Sequence, residues 1–155
     1  MTVGSQKFQF NRLLKQIDKL IEEKKINEKV IAQIGYSDYK PKNYEYKNFM
    51  DRYEFFFNIN NCSKVITHGG TGAIIGAVKK RKKVIAVARL KKFIEHVDNH
   101  QLEIIRAFEK MNFIKSVNEI EELERTIKEV ENINFNKYKS NTNVIIQSID
   151  EFINY

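Results

Sequence analysis

The chain of 155 residues carries 27 Lys+Arg against 20 Asp+Glu, a formal net charge of +7, with one Cys, one Pro and no Trp. The single Cys excludes an intrachain disulfide, the 42% hydrophobic and 12% aromatic content excludes a disordered chain, and no apolar run approaches the ~20 residues of a membrane-crossing helix. Length suits one domain over 1–155, and because Met1 to Ser5 lacks an apolar signal core the expected setting is reducing and cytoplasmic.

In chain order, Thr2-Val3 reads as a very short strand, and Phe10, Leu13, Leu14, Ile17, Leu20 and Ile21 recur at helical spacing. The β-rich run Lys29 to Ile34 follows, closed by Gly35, and the lone Pro41 sits beside the polar turn Ser37 to Lys40. Tyr44 to Tyr46 is a candidate third strand, and Phe49 to Phe57 a helix whose aromatics are expected in the core. Lys64 to Thr67 is a short strand, His68 to Gly72 a loop, and Ala73 to Val78 a buried helix. Val84 to Ala88 is the next strand, and a polar loop leads to a helix marked by Leu102, Ile105, Phe108 and Met111. Phe113-Ile114 is expected as a last strand. Asn118 then opens an acidic helix with Ile120, Leu123, Ile127 and Val130 inward, and a final helix carries Ile145, Ile149 and Phe152; both are expected to pack on the domain. This alternation predicts an α/β domain with a parallel sheet and helices on both faces. Ligands of such sheets bind at the carboxyl ends of the strands, which directs attention to the loops after Val3, Thr67 and Ala88.

The loop His68-Gly69-Gly70-Thr71-Gly72 has a strand before it, a helix after it and three glycines. Free N–H groups and the positive end of the helix dipole make such a junction a phosphate site, against the plainer reading of a tight turn with Gly76 permitting close helix packing. It is neither a Walker A loop nor GxGxxG, since no Gly-Lys-Ser/Thr follows and the third glycine falls one place late, at Gly76. In the loop from Arg89 to Gln101, Arg89 can meet a phosphate, Glu95 a pair of sugar hydroxyls, and Asn99 and Gln101 a base or sugar. Asp98 with Gln101 three residues on also fits a capping box. His96, Asp98 and His100 do not converge as metal ligands at a loop-to-helix junction, so no metal is expected. Gly4 and Ser5 can place backbone N–H groups toward a shared cleft. Cys62 has no activating base nearby in sequence and reads as a small semi-buried residue. The basic run Lys79 to Lys83, with Lys91-Lys92 beyond it, is either a solvated helix end or an attraction for phospholipid headgroups or a phosphorylated substrate.

Taken in order, Thr2-Val3-Gly4-Ser5 with Phe10-Asn11-Arg12-Leu13, then Ile66 to Gly72, then Glu95 to Glu103 resemble the glycosyltransferase family 28 C-terminal domain. Within that family the likeness is to small bacterial subunits of capsular and exopolysaccharide glycosyltransferases. Those are in turn similar to the catalytic subunit of the eukaryotic dolichol-linked N-acetylglucosaminyltransferase. The resemblance implies the Rossmann-like C-terminal half of a GT-B enzyme, binding a UDP-sugar donor and needing a membrane-anchored subunit for the acceptor half. It implies inverting hexosyl transfer to a lipid-diphosphate-linked saccharide at the cytoplasmic membrane face, without cofactor or metal.

Carried over by position, the UDP-sugar site comprises Gly4, Ser5, Asn11, His68, Gly69, Gly70, Thr71, Gly72, Arg89, Glu95, His96, Asp98, Asn99 and Gln101. The Gly70-Thr71-Gly72 amides and Arg89 are then expected to share the leaving group's charge. The catalytic base is not assigned; His68 and Glu95 are candidates to assist. Two departures stand out: the first strand is shorter than the family's, and Ala88 replaces a frequent Pro. Two other readings stay open, an NADP-binding domain using Gly70-x-Gly72-x-x-x-Gly76 with Arg89 at a 2′-phosphate, and a basic module binding RNA or anionic membrane.

Overall fold

A computed structural model describes residues 1–140 and 142–153. Its elements are α1 (Asn11–Glu22), β1 (Ile31–Gln33), β2 (Glu45–Lys47), α2 (Arg52–Asn61), β3 (Lys64–Thr67), α3 (Thr71–Lys79), β4 (Lys83–Val87), α4 (His100–Lys110), β5 (Lys115–Val117), α5 (Leu123–Glu129) and α6 (Thr142–Ile153). All pairings are parallel: β1 with β2, and β3 with β4 with β5. Thr2 joins the two groups by bridging Gln33 on one side and Thr67 on the other, so the order across the sheet is β2, β1, Thr2, β3, β4, β5. Below this junction the sheet opens onto an apolar cavity of about 360 Å³, lined by Ile17, Ile26 and Ile127 and by Phe55 and Ile59.

Two cores lie on the two faces of the sheet. Phe10, Leu13, Leu14 and Ile17 of the α1 segment are fully buried with Ile34, Ile85 and Leu123. Each such side chain contributes about 1.5–3 kcal/mol relative to exposure. Ile74, Ala77, Val84, Ala86, Ile105 and Ile114 form the second core. The Pro41 turn is fixed to α1 by the buried Asp18, whose carboxylate accepts from the Tyr39 hydroxyl at 2.5 Å and the Lys42 and Asn43 amides at 2.9 and 2.8 Å. Burial opposes that charge, but these hydrogen bonds outweigh it and hold the Asp18 pKa below its ordinary value.

Several expectations need correction. The aromatics of the Phe49 segment are mostly not core: Phe49, Tyr53, Phe56 and Phe57 are exposed, Phe55 alone among them packs half-buried against the second core, and only Ile59 of α2 is fully buried. The last strand begins at Lys115, not Phe113, because Ile114 turns into the second core before the chain pairs with β4. A 3-10 turn at Ile120–Glu122 precedes α5, so the acidic helix starts later than Asn118. α5 packs inward through Leu123, Ile127 and Val130 beside it, whereas α6 exposes Ile149 and Phe152; the side chain of Ile145 lies outside the described residues.

Candidate donor-binding cleft

The carboxyl ends of the Thr2 segment, β1 and β3 open onto a cleft of about 510 Å³. One rim is almost all backbone. Gly4 and Gly69 have φ of +78° and +86°, a region that side chains resist. The His68 imidazole packs across this rim so closely that a Cβ at Gly4 or Gly70 would approach it to 2.6 or 2.5 Å. Burial chiefly, then the positive charge of Arg89, push the His68 pKa down to about 4 against an opposing hydrogen bond to the Thr2 backbone. His68 is therefore neutral near pH 7. Gly70 caps α3 without a side chain, and the first helical hydrogen bond runs from Ile74 N–H to the Gly70 carbonyl. The N–H groups of Thr71, Gly72 and Ala73 have no helical partner, and these residues line the cleft. With the dipole of α3 behind them, these N–H groups can donate to an anion.

The opposite rim, from Arg89 to Gln101, uses its polar groups differently from expectation. Arg89 is fully buried. Its Nη2 donates to the carbonyls of Val3 and Phe8 at 2.6 and 3.2 Å, tying the first loop to the end of β4. It is not among the residues lining the cleft, and its Nε and Nη1 are buried without a hydrogen-bond partner. Glu95 is also fully buried. Arg12 grips both its oxygens through Nε and Nη2 at 3.1 and 2.9 Å, and the Leu90 N–H donates to Oε2 at 3.0 Å. Glu95 therefore pins its loop to α1, with both of its oxygens engaged. Asn11 likewise accepts from the Tyr39 N–H at 3.0 Å, away from the cleft. Asn99 accepts from the Lys91 N–H at 3.1 Å.

The capping box does not form. Asn99 is the N-cap of α4, Asp98 accepts from the His100 N–H at 3.0 Å, and Gln101 accepts from the Arg89 N–H at 3.1 Å. Of the expected donor-site residues, the structure gathers Gly4, Ser5, His68, Gly69, Gly70, Thr71, Gly72, His96, Asp98 and Gln101 around one cleft and leaves Asn11, Arg89, Glu95 and Asn99 outside its lining. Among the cleft-lining residues there is no Lys or Arg. Nδ1 of His96 sits 3.0 Å from Asp98, and His100 adds a second imidazole. No group of three or more His, Cys, Asp or Glu capable of holding a metal occurs among the described residues.

Sequence reasoning missed Arg12 and Gln33. Arg12 also donates to the Ala88 carbonyl at 2.9 Å, and Gln33 donates to the Gly4 carbonyl at 3.3 Å while accepting from the Met50 N–H. The one sequence signal for Arg12 was its place in the Phe10-Asn11-Arg12-Leu13 stretch that carries the family resemblance. Gly76 does not mediate close packing, because nothing lies within 4 Å of where its Cβ would be. In the basic run, Lys82 donates to the Asn60 carbonyl, Lys83 to Glu131, and Lys79 lies over the Tyr138 ring. Cys62 is half-buried, with its Sγ donating to the Ile59 carbonyl.

Comparison with known proteins accords with this layout. The fold superposes on a crystal structure of the glycotransferase of kitacinnamycin with a TM-score of 0.64 at 13% identity, covering 85% of this chain and 34% of that one. That likeness shows the fold, a Rossmann-like parallel sheet matching the C-terminal half of a GT-B glycosyltransferase. The UDP-N-acetylglucosamine transferase subunit ALG13 of Candida albicans is 30% identical over 110 residues, 71% of this chain. The chain spans about a third of that relative's length, 34%. Residues 1–154 match the profile of the glycosyltransferase family 28 C-terminal domain, and the chain belongs to that family.

Proposed function

We propose that the protein is the donor-binding, catalytic subunit of a two-component inverting glycosyltransferase. It transfers a hexose from a UDP-sugar to a lipid-diphosphate-linked saccharide in capsular or exopolysaccharide synthesis. The observation that carries this reading is the cleft in which the α3 N-terminus, with its unpartnered amides, faces the Gly4-Ser5 turn. Cleaving a sugar–diphosphate bond leaves negative charge on the departing UDP, and preorganised amides with a helix dipole stabilise that charge. Because no Lys or Arg lines the cleft, the amides carry this role in place of Arg89. No metal ion takes part in this reading, and EDTA is expected to leave turnover unchanged.

His68, which burial makes a weak base with a pKa lowered to about 4, and Glu95, held by Arg12, are poorly suited to act as the base. Activation of the acceptor hydroxyl therefore falls to the other half of the enzyme, a membrane-anchored partner holding the protein at the cytoplasmic face. The NADP reading loses its reader of the 2′-phosphate with the burial of Arg89. The nucleic-acid reading is weakened because Lys79, Lys82 and Lys83 have partners on the protein's own surface, which leaves Lys80 and Arg81 as the exposed remainder of the run.

Ligand-detected NMR with UDP, UDP-glucose, UDP-galactose, UDP-N-acetylglucosamine and NADPH tests the proposal. Saturable uridine contacts, weakened by Gly72→Ala and absent for NADPH, are the expected result. Binding of NADPH in preference to every uridine nucleotide would overturn it.

A further inference from the structure

The loop between β4 and α4 carries an apolar tip that the cleft does not use. Phe93, Ile94 and Val97 are 43%, 84% and 64% exposed, and the exposed Lys91 and Lys92 directly precede them. Ile94 has φ 55° and ψ 34°, a left-handed conformation that is an outlier for a β-branched residue.

The surroundings hold that conformation in place. The Ile94 N–H donates to the Lys91 carbonyl at 2.9 Å, and the Gln9 side chain donates to the Phe93 carbonyl at 3.0 Å. Beneath the tip, Glu95 is locked by Arg12, whose guanidinium lies 4.7 Å from the Phe93 ring centroid. The apolar side chains are thus presented outward on a braced turn. Backbone strain maintained by surrounding contacts is characteristic of positions under functional constraint.

We propose that Phe93, Ile94 and Val97, with Lys91 and Lys92, form a membrane-docking tip that inserts into the headgroup region of an anionic bilayer. Charge selects this occupant. Of the two acidic residues in the loop, Glu95 is buried and neutralised by Arg12, and Asp98 is bonded to His96 and the His100 N–H. Two lysines beside an apolar wedge match anionic headgroups over acyl chains. A second copy of the chain would bring the same lysines and the same +7 charge against them. The proposal stands on the loop's geometry and gives the donor-site reading an orientation: His96 and Asp98 join the tip to the cleft, so docking sets the cleft's mouth beside the bilayer that holds a lipid-linked acceptor.

Sedimentation of the full chain with phosphatidylcholine vesicles, with and without an equal share of phosphatidylglycerol, tests this. The wild type is expected to bind the anionic vesicles, and Ile94→Asp to lower the partition coefficient by about tenfold or more. Replacing Lys91 and Lys92 by Gln should lower binding to anionic vesicles alone and remove most of its salt dependence. Ile94→Gly should raise thermal stability by relieving the left-handed strain while still reducing vesicle binding. No sedimentation of the wild type, or equal sedimentation of wild type and Ile94→Asp, would overturn the proposal, the second result transferring binding to Lys79–Lys83. UDP titrations of the same proteins keep the two readings separate: loss of UDP binding by all of them defeats the donor site alone, and intact UDP binding without vesicle binding defeats the tip alone.

Discussion

The two rims of the cleft solve opposite problems. The glycine rim, Gly4-Ser5 and His68 to Gly72, keeps its backbone bare, and a single imidazole fills the space that side chains would occupy. The polar rim, Arg89 to Gln101, is rich in groups suited to ligands, yet Arg89, Glu95, Asn99 and Gln101 are engaged mainly with the protein itself. The difference teaches that ligand-like composition in a loop does not say which side chains reach the cleft: His96, Asp98 and Gln101 line it, and Arg89, Glu95 and Asn99 do not. Glu95, Asn99 and Gln101 satisfy backbone and side-chain groups of the protein itself, while Arg89 does so through Nη2 alone and keeps Nε and Nη1 buried without a partner.

The sharpest test of this contrast is Glu95→Ala. As a structural pin, Glu95 leaves Arg12 and the Leu90 N–H unpaired when removed, and urea unfolding should show a loss of about 3–5 kcal/mol. A variant of unchanged stability that loses UDP binding would instead return Glu95 to the ligand. Next in size is the pH response of the glycine rim. An unfolded imidazole binds a proton as pH falls through its ordinary 6.5, whereas folded His68 resists until about 4. Acid therefore favours unfolding across that window, by up to about 3 kcal/mol at its lower end. His68→Gln should remove that part of the slope in urea titrations between pH 4 and 6.5, and parallel slopes for the two proteins would contradict the burial of a neutral His68.

A glycine pair gives the smallest effects on stability and the finest discrimination. Gly69→Ala combines φ +86° with a Cβ 2.5 Å from Ile105 and should cost about 2 kcal/mol. Gly72→Ala meets nothing within 4 Å and should change stability by less than about 0.5 kcal/mol. Its methyl group nevertheless enters the proposed anion site, and calorimetry should show UDP binding weakened by about tenfold. Unchanged UDP affinity in Gly72→Ala would move the diphosphate away from the start of α3.

The alternation of elements was legible because apolar periodicity records burial directly, as in Leu13, Leu14 and Ile17 of α1 or Val65 and Thr67 of β3. The glycine rim was legible for a related reason: a strand, a glycine cluster and a helix in succession leave few backbone arrangements. Its sequence did not reveal the neutral state of His68, which depends on burial and on the charge of Arg89, distant in the chain. The polar rim was misread because the partners of Glu95 and Arg89 come from Arg12, Val3 and Phe8, more than 80 positions away. The exposure of Tyr53, Phe56 and Phe57 was equally hidden, since an aromatic-rich helix reads as core whether or not anything covers its outer side.

The junction at Thr2 has a consequence for how the molecule comes apart. Three residues join a two-stranded sheet to a three-stranded one: Thr2 donates its N–H to the Ile66 carbonyl, Val3 donates to the Gln33 carbonyl, and the Met1 carbonyl accepts from the Gln33 N–H. The core is continuous across this seam, because α1 packs on Ile85 of β4 and on Leu123, so the weak point is confined to the strand segment at Met1 to Val3. Local opening of that segment would separate Gly4 from His68 and dismantle the glycine rim while the β1–β2 and β3–β4–β5 pairings kept their own hydrogen bonds. In hydrogen exchange the amides of Thr2 and Val3 should therefore exchange before those of β4, and a ligand bridging the rim should slow them most.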